Sequence, residues 1–260
     1  MARQNSRSRY GWIPDVPDHR DQVYGAPVAA LAALPPRLDL RRECPPVYDQ
    51  GRLGSCTANA IGAAVEFEQM KQKLGEVFVP SRLFIYYNER VIEGTVESDG
   101  GAQLRDGIKS VSRQGVCPEP EWPYVIERFR LKPSAACYRH AMKHRVILYQ
   151  RLVPTLNQLR GCLAEGYPFV FGFAVYEGFE SRQVARTGHA SLPKPGESAL
   201  GGHAVLAVGY NDARQWFLVR NSWGDGWGMK GYFTLPYAYL TDPDLAADFW
   251  TIRTVQSLGV

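Results

Sequence analysis

The chain has no apolar run approaching the ~18 residues that a membrane span requires. The longest candidate near the start, Ala26 to Leu34, is short, contains Pro27 and lies behind a polar stretch. A secretory signal places its apolar stretch closer to the N-terminus, so neither a membrane anchor nor a cleaved leader is evident. The expected location is the cytoplasm, or outside the cell by a non-standard route. Cysteine is also scarce: five in 260 residues is too few for a disulfide scaffold, and the odd number leaves at least one thiol unpaired within a single chain. Charge of one sign is lacking too, with 30 Lys and Arg against 26 Asp and Glu. That balance excludes a nucleic-acid-binding composition. Arg3, Arg7, Arg9 and Arg20 near the start read as a solvated tail. The expected state is a monomer in water, with no nucleic acid or membrane partner.

Residues 1–34 differ from the rest. They are rich in Arg, Pro, Asp and Gly, show no sustained periodicity before the Ala/Leu run, and end at Pro35-Pro36. They read as an extension that drapes over a folded body or stays mobile. Residues 35–260 read as one domain of two lobes, divided near residue 135. In the first lobe, Ser55 caps a helix from Cys56 towards Lys73, with Ile61, Ala64, Val65 and Phe67 inward and Gly75 as its stop. A second helix starts at Ser81 and carries Leu83, Phe84, Tyr87 and Val91. A third spans 102–113, with Leu104, Ile108 and Val111 inward, and a fourth lies near 155–165. Beyond it, residues 167–176, 203–210, 216–223 and 231–235 have strand character. Helices followed by strands predict an α+β fold with unlike lobes, and a site in the cleft between them.

Three distant segments carry the chemistry. In YDQGRLGSCTANA, Cys56 stands at a helix start, where unpaired N–H groups favour a thiolate. Gly51 and Gly54 allow another backbone to come close, and Gln50 offers an amide donor. In GGHAVLAVGY, His203 opens an apolar strand behind two glycines. In RNSWGDGWGMKGY, Asn221 follows a strand and precedes Trp223. The Asn221 side-chain oxygen can fix an imidazole tautomer, and Trp223 can shield that bond from water.

Together these segments resemble the papain-like cysteine peptidases, in the order Cys, His, Asn, from about Leu34 to the C-terminus. The likeness is strongest to bacterial members with a short N-terminal extension. LPPRLDLR resembles the family's mature N-terminus, and the run from Asp99 to Val116 resembles its double-glycine stretch and following helix. The resemblance implies a papain-like fold, helical lobe against β-barrel-like lobe, that hydrolyses peptide bonds. Cys56 and His203 form the thiolate–imidazolium pair, and Asn221 orients His203. Gln50, with the Cys56 N–H, receives the developing oxyanion. Gly100 and Gly101 wall the cleft, and Gly172 and Ala204 line a side-chain pocket floored by residues 241–248. An acidic residue in that floor admits Arg or Lys. Family zymogens carry longer pro-segments, and residues 1–34 are expected to occlude the site.

Two departures stand out. Leu53 replaces a disulfide cysteine three residues before the nucleophile, and Thr57 replaces an aromatic just after it. The loop therefore relies on packing. Cys117, Cys137, His140 and His144 spell C-x19-C-x2-H-x3-H, but the first spacing is far from that of zinc sites. A Cys117–Cys137 disulfide or free thiols are the preferred reading, with no metal and no cofactor. The same acyl-enzyme serves a transpeptidase or ligase, and a non-catalytic binding protein is a further alternative; the intact Cys56, His203, Asn221 and Gln50 favour hydrolysis.

Overall fold

The computed structural model describes residues 10–257; Arg3, Arg7 and Arg9, and the first nine residues of the expected extension, lie outside them. The helices are α1 (Val28–Ala32), α2 (Cys56–Lys71), α3 (Arg82–Glu93), α4 (Leu104–Arg113), α5 (Ala135–Ala141), α6 (Leu156–Ala164), α7 (Arg182–Thr187) and α8 (Tyr237–Thr241). The strands are β1 (Trp12–Ile13), β2 (Arg37–Asp39), β3 (Ala102–Gln103), β4 (His144–Arg151), β5 (Phe169–Tyr176), β6 (Ala199–Asn211), β7 (Trp216–Arg220), β8 (Tyr232–Pro236) and β9 (Ala246–Ser257). This is an α+β arrangement, as the sequence predicts. Among the described residues the large sheet runs as an open antiparallel path, β4-β9-β5-β6-β7-β8, with β2 pairing β6 off it.

Helix α2 is the central element. It is buried on all sides, down to Glu66, Glu68 and Gln69, because β6 and β9 pack on it from one lobe and α3 and α4 from the other. An all-round apolar helix belongs inside, not on a surface. It stops at Lys73, whose φ of 52° takes the left-handed position expected of Gly75. Ser55 precedes it without a side-chain capping bond, since its hydroxyl is turned to Tyr124 and Asn59. Helix α3 does begin on a true cap, with Ser81 Oγ accepting from Phe84 N at 3.1 Å, and Gly94 closes it. Val91, expected inward, is exposed. Helix α4 starts at Leu104 rather than 102, because Ala102 and Gln103 are drawn into pairing with Trp12 and Ile13.

Besides the short β1, β2 and β3, two long strands had no counterpart in the sequence reading: β4 and β9, which pair with each other from His144↔Ser257 to Arg151↔Trp250. Arg145, Arg151 and Arg253 interrupt their apolar pattern, and their pairing spans about a hundred residues of chain. Residues 37–39, at the head of the stretch read as the helical lobe, join the large sheet through Leu38↔Tyr210.

Candidate active site

The N-terminus of α2 faces the middle of β6. Cys56 opens the helix, and the backbone amides of Ala204, Gly11 and Thr57 act to lower its thiol pKa. His203 stands on β6 beside Ala204, with Nε2 2.8 Å from Asn221 Oδ1. That oxygen also accepts the Ser222 N–H at 2.8 Å, so it is the acceptor and Nε2 the donor. Trp223 stacks on the imidazole with ring centroids 4.9 Å apart and planes 28° apart. All four residues are buried.

Gln50 is oriented from both ends. Its Oε1 accepts from Ser222 Oγ at 2.6 Å, and its Nε2 donates to Leu53 O at 2.9 Å. The backbone joins the same pair of segments, with Gln50 N donating to Ser222 O at 2.9 Å. At Leu53, where the resemblance implies a disulfide cysteine, this loop has polar ties instead. Asp99 accepts from Gly54 N at 3.0 Å and from Tyr86 Oη at 2.6 Å, and Tyr86 Oη in turn accepts from Gly101 N at 3.3 Å. Tyr124 Oη lies 2.5 Å from Ser55 Oγ and donates to Gln50 O at 3.0 Å. The Thr57 hydroxyl donates to buried Glu89 at 2.7 Å, and burial lifts that carboxyl well above the usual carboxylate range. Sequence reasoning missed Asp99, Tyr86, Tyr124 and Glu89. The adjacency of Asp99 to Gly100-Gly101 was the one available signal.

The cleft is filled by the chain itself. Strand β1 runs parallel to β3, and Gly11 O accepts from Ala102 N at 2.7 Å. Glycines make the passage possible. A Cβ on Gly101, whose φ is 86°, would collide with the Gly11 carbonyl, and a Cβ on Gly11 would collide with Gly54 O. A Cβ on Gly172 would strike the Trp12 indole, and one on Gly202 would crowd the Trp12 backbone. Ala204 pairs with Gly172 across β5 and β6 and so shares its face of the sheet. Gly100 is exposed at the rim. Asp248, within the stretch expected to floor the pocket, accepts from Trp12 Nε1 at 3.0 Å and from Asp15 N at 2.7 Å. It is buried and carries a φ of 59°.

Further along, Asp15 accepts from Arg105 N at 3.0 Å and from Trp250 Nε1 at 2.9 Å. Arg105 binds Asp21 at 2.6 Å and the Val16 carbonyl. Tyr24 is buried, with its hydroxyl on Glu165 at 2.6 Å. Burial, absent from the sequence expectation of a thiolate, acts on Cys56 here. With Cys56 wholly buried, loss of hydration pushes its thiol up to about 12, which the three backbone N–H groups only partly offset.

The Papain family cysteine protease model matches residues 34–241. The chain belongs to the papain family of cysteine proteases. It is similar over its whole length to xylellain, a cysteine protease from Xylella fastidiosa, at 44% identity and a TM-score of 0.90, with both chains fully covered. An uncharacterized peptidase C1-like protein of Acanthamoeba polyphaga mimivirus is 41% identical over 270 residues, across 95% of this chain and 87% of that protein. Digestive procathepsin L 3 of Tenebrio molitor shares the fold at 17% identity and a TM-score of 0.73, over 98% of this chain and 78% of that one. As a papain-like cysteine peptidase, this chain is a hydrolase acting on peptide or protein substrates.

Proposed function

We propose that this peptidase cleaves through Cys56, His203, Asn221 and Gln50, and that residues 10–24 hold it closed. In the open enzyme the Nε2–Asn221 bond leaves Nδ1 as the nitrogen that exchanges a proton with the Cys56 sulfur. The thiolate adds to a peptide carbonyl, His203 protonates the leaving amine, and the acyl-enzyme is released by water that His203 deprotonates. Oxyanion charge falls on the Cys56 N–H and the Gln50 amide. Substrate backbone pairs along Gly100 and Gly101, and a side chain enters beside Gly172 and Ala204 towards Asp248. Trp12, an aromatic ring with an N–H on that carboxylate, marks what the pocket takes: aromatic or basic side chains.

The observation that supports closure is the course of β1 along the glycine wall: Gly11 O accepts from Ala102 N at 2.7 Å, Gly11 presses on Gly54 and Gly101, and Trp12 lies on Gly172. Departure of the segment rehydrates the sulfur and removes part of the burial that keeps it protonated.

The test compares the full chain with one lacking residues 1–33, each treated with a thiol-directed peptidyl epoxide and weighed by mass spectrometry. The shortened chain should take one adduct on Cys56 at least 10-fold faster, and His203→Ala should abolish it. Equal rates would reduce the segment to a passive tail. An adduct on another cysteine would remove the catalytic assignment.

A further inference from the structure

Away from the cleft, a second group of reactive side chains meets at the neck of one loop. Residues 118–136 leave the chain at Cys117 and rejoin it at Cys137, and both thiols are buried. The two sulfurs and a carboxylate oxygen of Glu121 all lie within 4.8 Å of one another. The Cys137 sulfur also touches Ser134 Oγ at 3.1 Å and the Glu121 carbonyl at 3.6 Å. The sequence spacing pairs these cysteines with His140 and His144. The tertiary structure sets these residues in two adjoining groups: His140 and His144 lie with Glu76, His144 also packing edge-on against Phe78, while Nδ1 of His140 meets the Glu121 carboxylate beside the two thiols.

We infer that Cys117, Cys137 and Glu121 form a binding site for a thiophilic divalent cation of the zinc class. Two thiolates and one carboxylate are a three-ligand set that zinc accepts, with solvent in the fourth place on the part-exposed side of Glu121. Around such an ion the ligand atoms stand about 3.5–3.8 Å apart. The observed grouping reaches that by small side-chain adjustments. His140 then serves as the outer partner that aims the carboxylate. Binding displaces the two thiol protons to solvent, and no redox change is involved.

The site has a mechanical consequence. The loop it closes supports the nucleophile loop through Tyr124 and through Glu119, whose carboxylate holds Arg82 at 2.6 Å. Arg82 reaches Asp49 O at 3.2 Å and Asn59 Oδ1 at 3.1 Å. An ion at the neck ties the two ends of that support together.

The experiment uses the full chain carrying Cys56→Ala, reduced, so that the nucleophile does not compete for metal. Titration with cobalt(II) should give one equivalent bound, with near-ultraviolet sulfur-to-cobalt charge-transfer absorption and visible bands of a tetrahedral ion. Cys137→Ser should lose the absorption. Glu121→Gln, which keeps both thiols and tests the ligand set without touching the buried core, should weaken cobalt binding at least 10-fold while leaving the metal-free Tm unchanged. Zinc at a hundredfold excess over Kd should raise Tm by about 5–10 °C in the Cys56→Ala chain, and by about half of that or less when Glu121→Gln is added. Absence of the sulfur-to-cobalt band with all thiols reduced overturns the inference. So does a chain 2 Da lighter with Cys117 joined to Cys137, or a band that survives both substitutions.

Discussion

The nucleophile loop and the segment that covers it touch at Gly54 and Gly11, yet they are held in different ways. The loop from Tyr48 to Cys56 is tied to four separate parts of the fold: Asp99 beside the glycine wall, Tyr124 on the 118–136 loop, Ser222 after β7, and Arg82 on α3. No single change releases it. Residues 10–24 are tied as widely, but one after another along their length: to β3 at Trp12 and Ile13, to Asp248 through Trp12 and Asp15, to Arg105 through Asp15, Val16 and Asp21, and to Arg151 and Glu165 through Gln22 and Tyr24. The loop's ties converge on one short turn and fix it, whereas the segment's ties follow the chain in series. The proposed closure needs that combination, a fixed turn beneath a cover that comes away along its length.

The comparison can be broken most severely at the sulfur. Cys56→Ala should lower peptide hydrolysis by at least about 10⁴-fold while keeping the thermal midpoint, because it removes the nucleophile and none of the ties around it. Turnover measured with the shortened chain decides this, and substantial residual cleavage would mean that another group attacks. Next comes Gln50→Ala in the same shortened chain, with an expected loss of about 10²–10³ in kcat, the effect of removing one oxyanion donor. A change confined to KM would place Gln50 outside the transition state.

On the side of the cover the effects are smaller. Trp12→Ala deletes the indole between Gly172 and Asp248; losing about 2 kcal/mol of burial corresponds to roughly 30-fold more activity from the full chain. The shortened chain, which lacks the residue, sets the upper limit. If Trp12→Ala leaves the full chain as slow as before, the anchor lies elsewhere along the segment.

The least effect and the most informative is that of pH. Asp15 sits beside Asp248, with Arg105, Arg151 and Trp250 around the pair. Burial first, and the Asp248 charge second, raise the Asp15 carboxyl from 3.8 to about 6. The docked segment therefore binds more protons than the released one between those values. Its hold is fullest below about pH 4 and weakens as pH rises through 6. The ratio of full-chain to shortened-chain activity, which cancels the pH dependence of the chemistry, should accordingly climb a few-fold from pH 4 to 7, and Asp15→Asn should flatten it. A ratio that falls over the same range would contradict this account.

Much of the site was legible because its parts are local. The Cys56 helix start, the His203 strand and the Asn221-to-Trp223 turn each carry their signal within a few residues. Gly54 announced close approach without saying to what, while Gly101, expected as cleft wall, and Gly172, expected to line a substrate pocket, meet Gly11 and Trp12 of this same chain. What escaped was whatever depended on distant pairing. Asp99 and Tyr124 read as ordinary loop residues, because a carboxylate or a phenol declares nothing about the partner it meets. Strands β4 and β9 were hidden for the same reason, their apolar faces being interrupted by arginines whose partners lie far away in sequence. Ser55 misled in the opposite direction, since its local cap signal was overruled by Tyr124 and Asn59.

The sequence by itself determined the family and the α+β class, and it singled out Cys56, His203, Asn221 and Gln50 as candidates, because local periodicity and short motifs survive without knowledge of neighbours. Only the tertiary structure decided that Gly11 lies between Gly54 and Gly101, that Trp12 lies between Gly172 and Asp248, and that Cys117, Cys137 and Glu121 converge. The first two are contacts between segments tens to hundreds of residues apart, and the third closes a loop of about twenty. Such contacts form only when burial of the shared core brings their elements together, and no spacing rule along the chain encodes them.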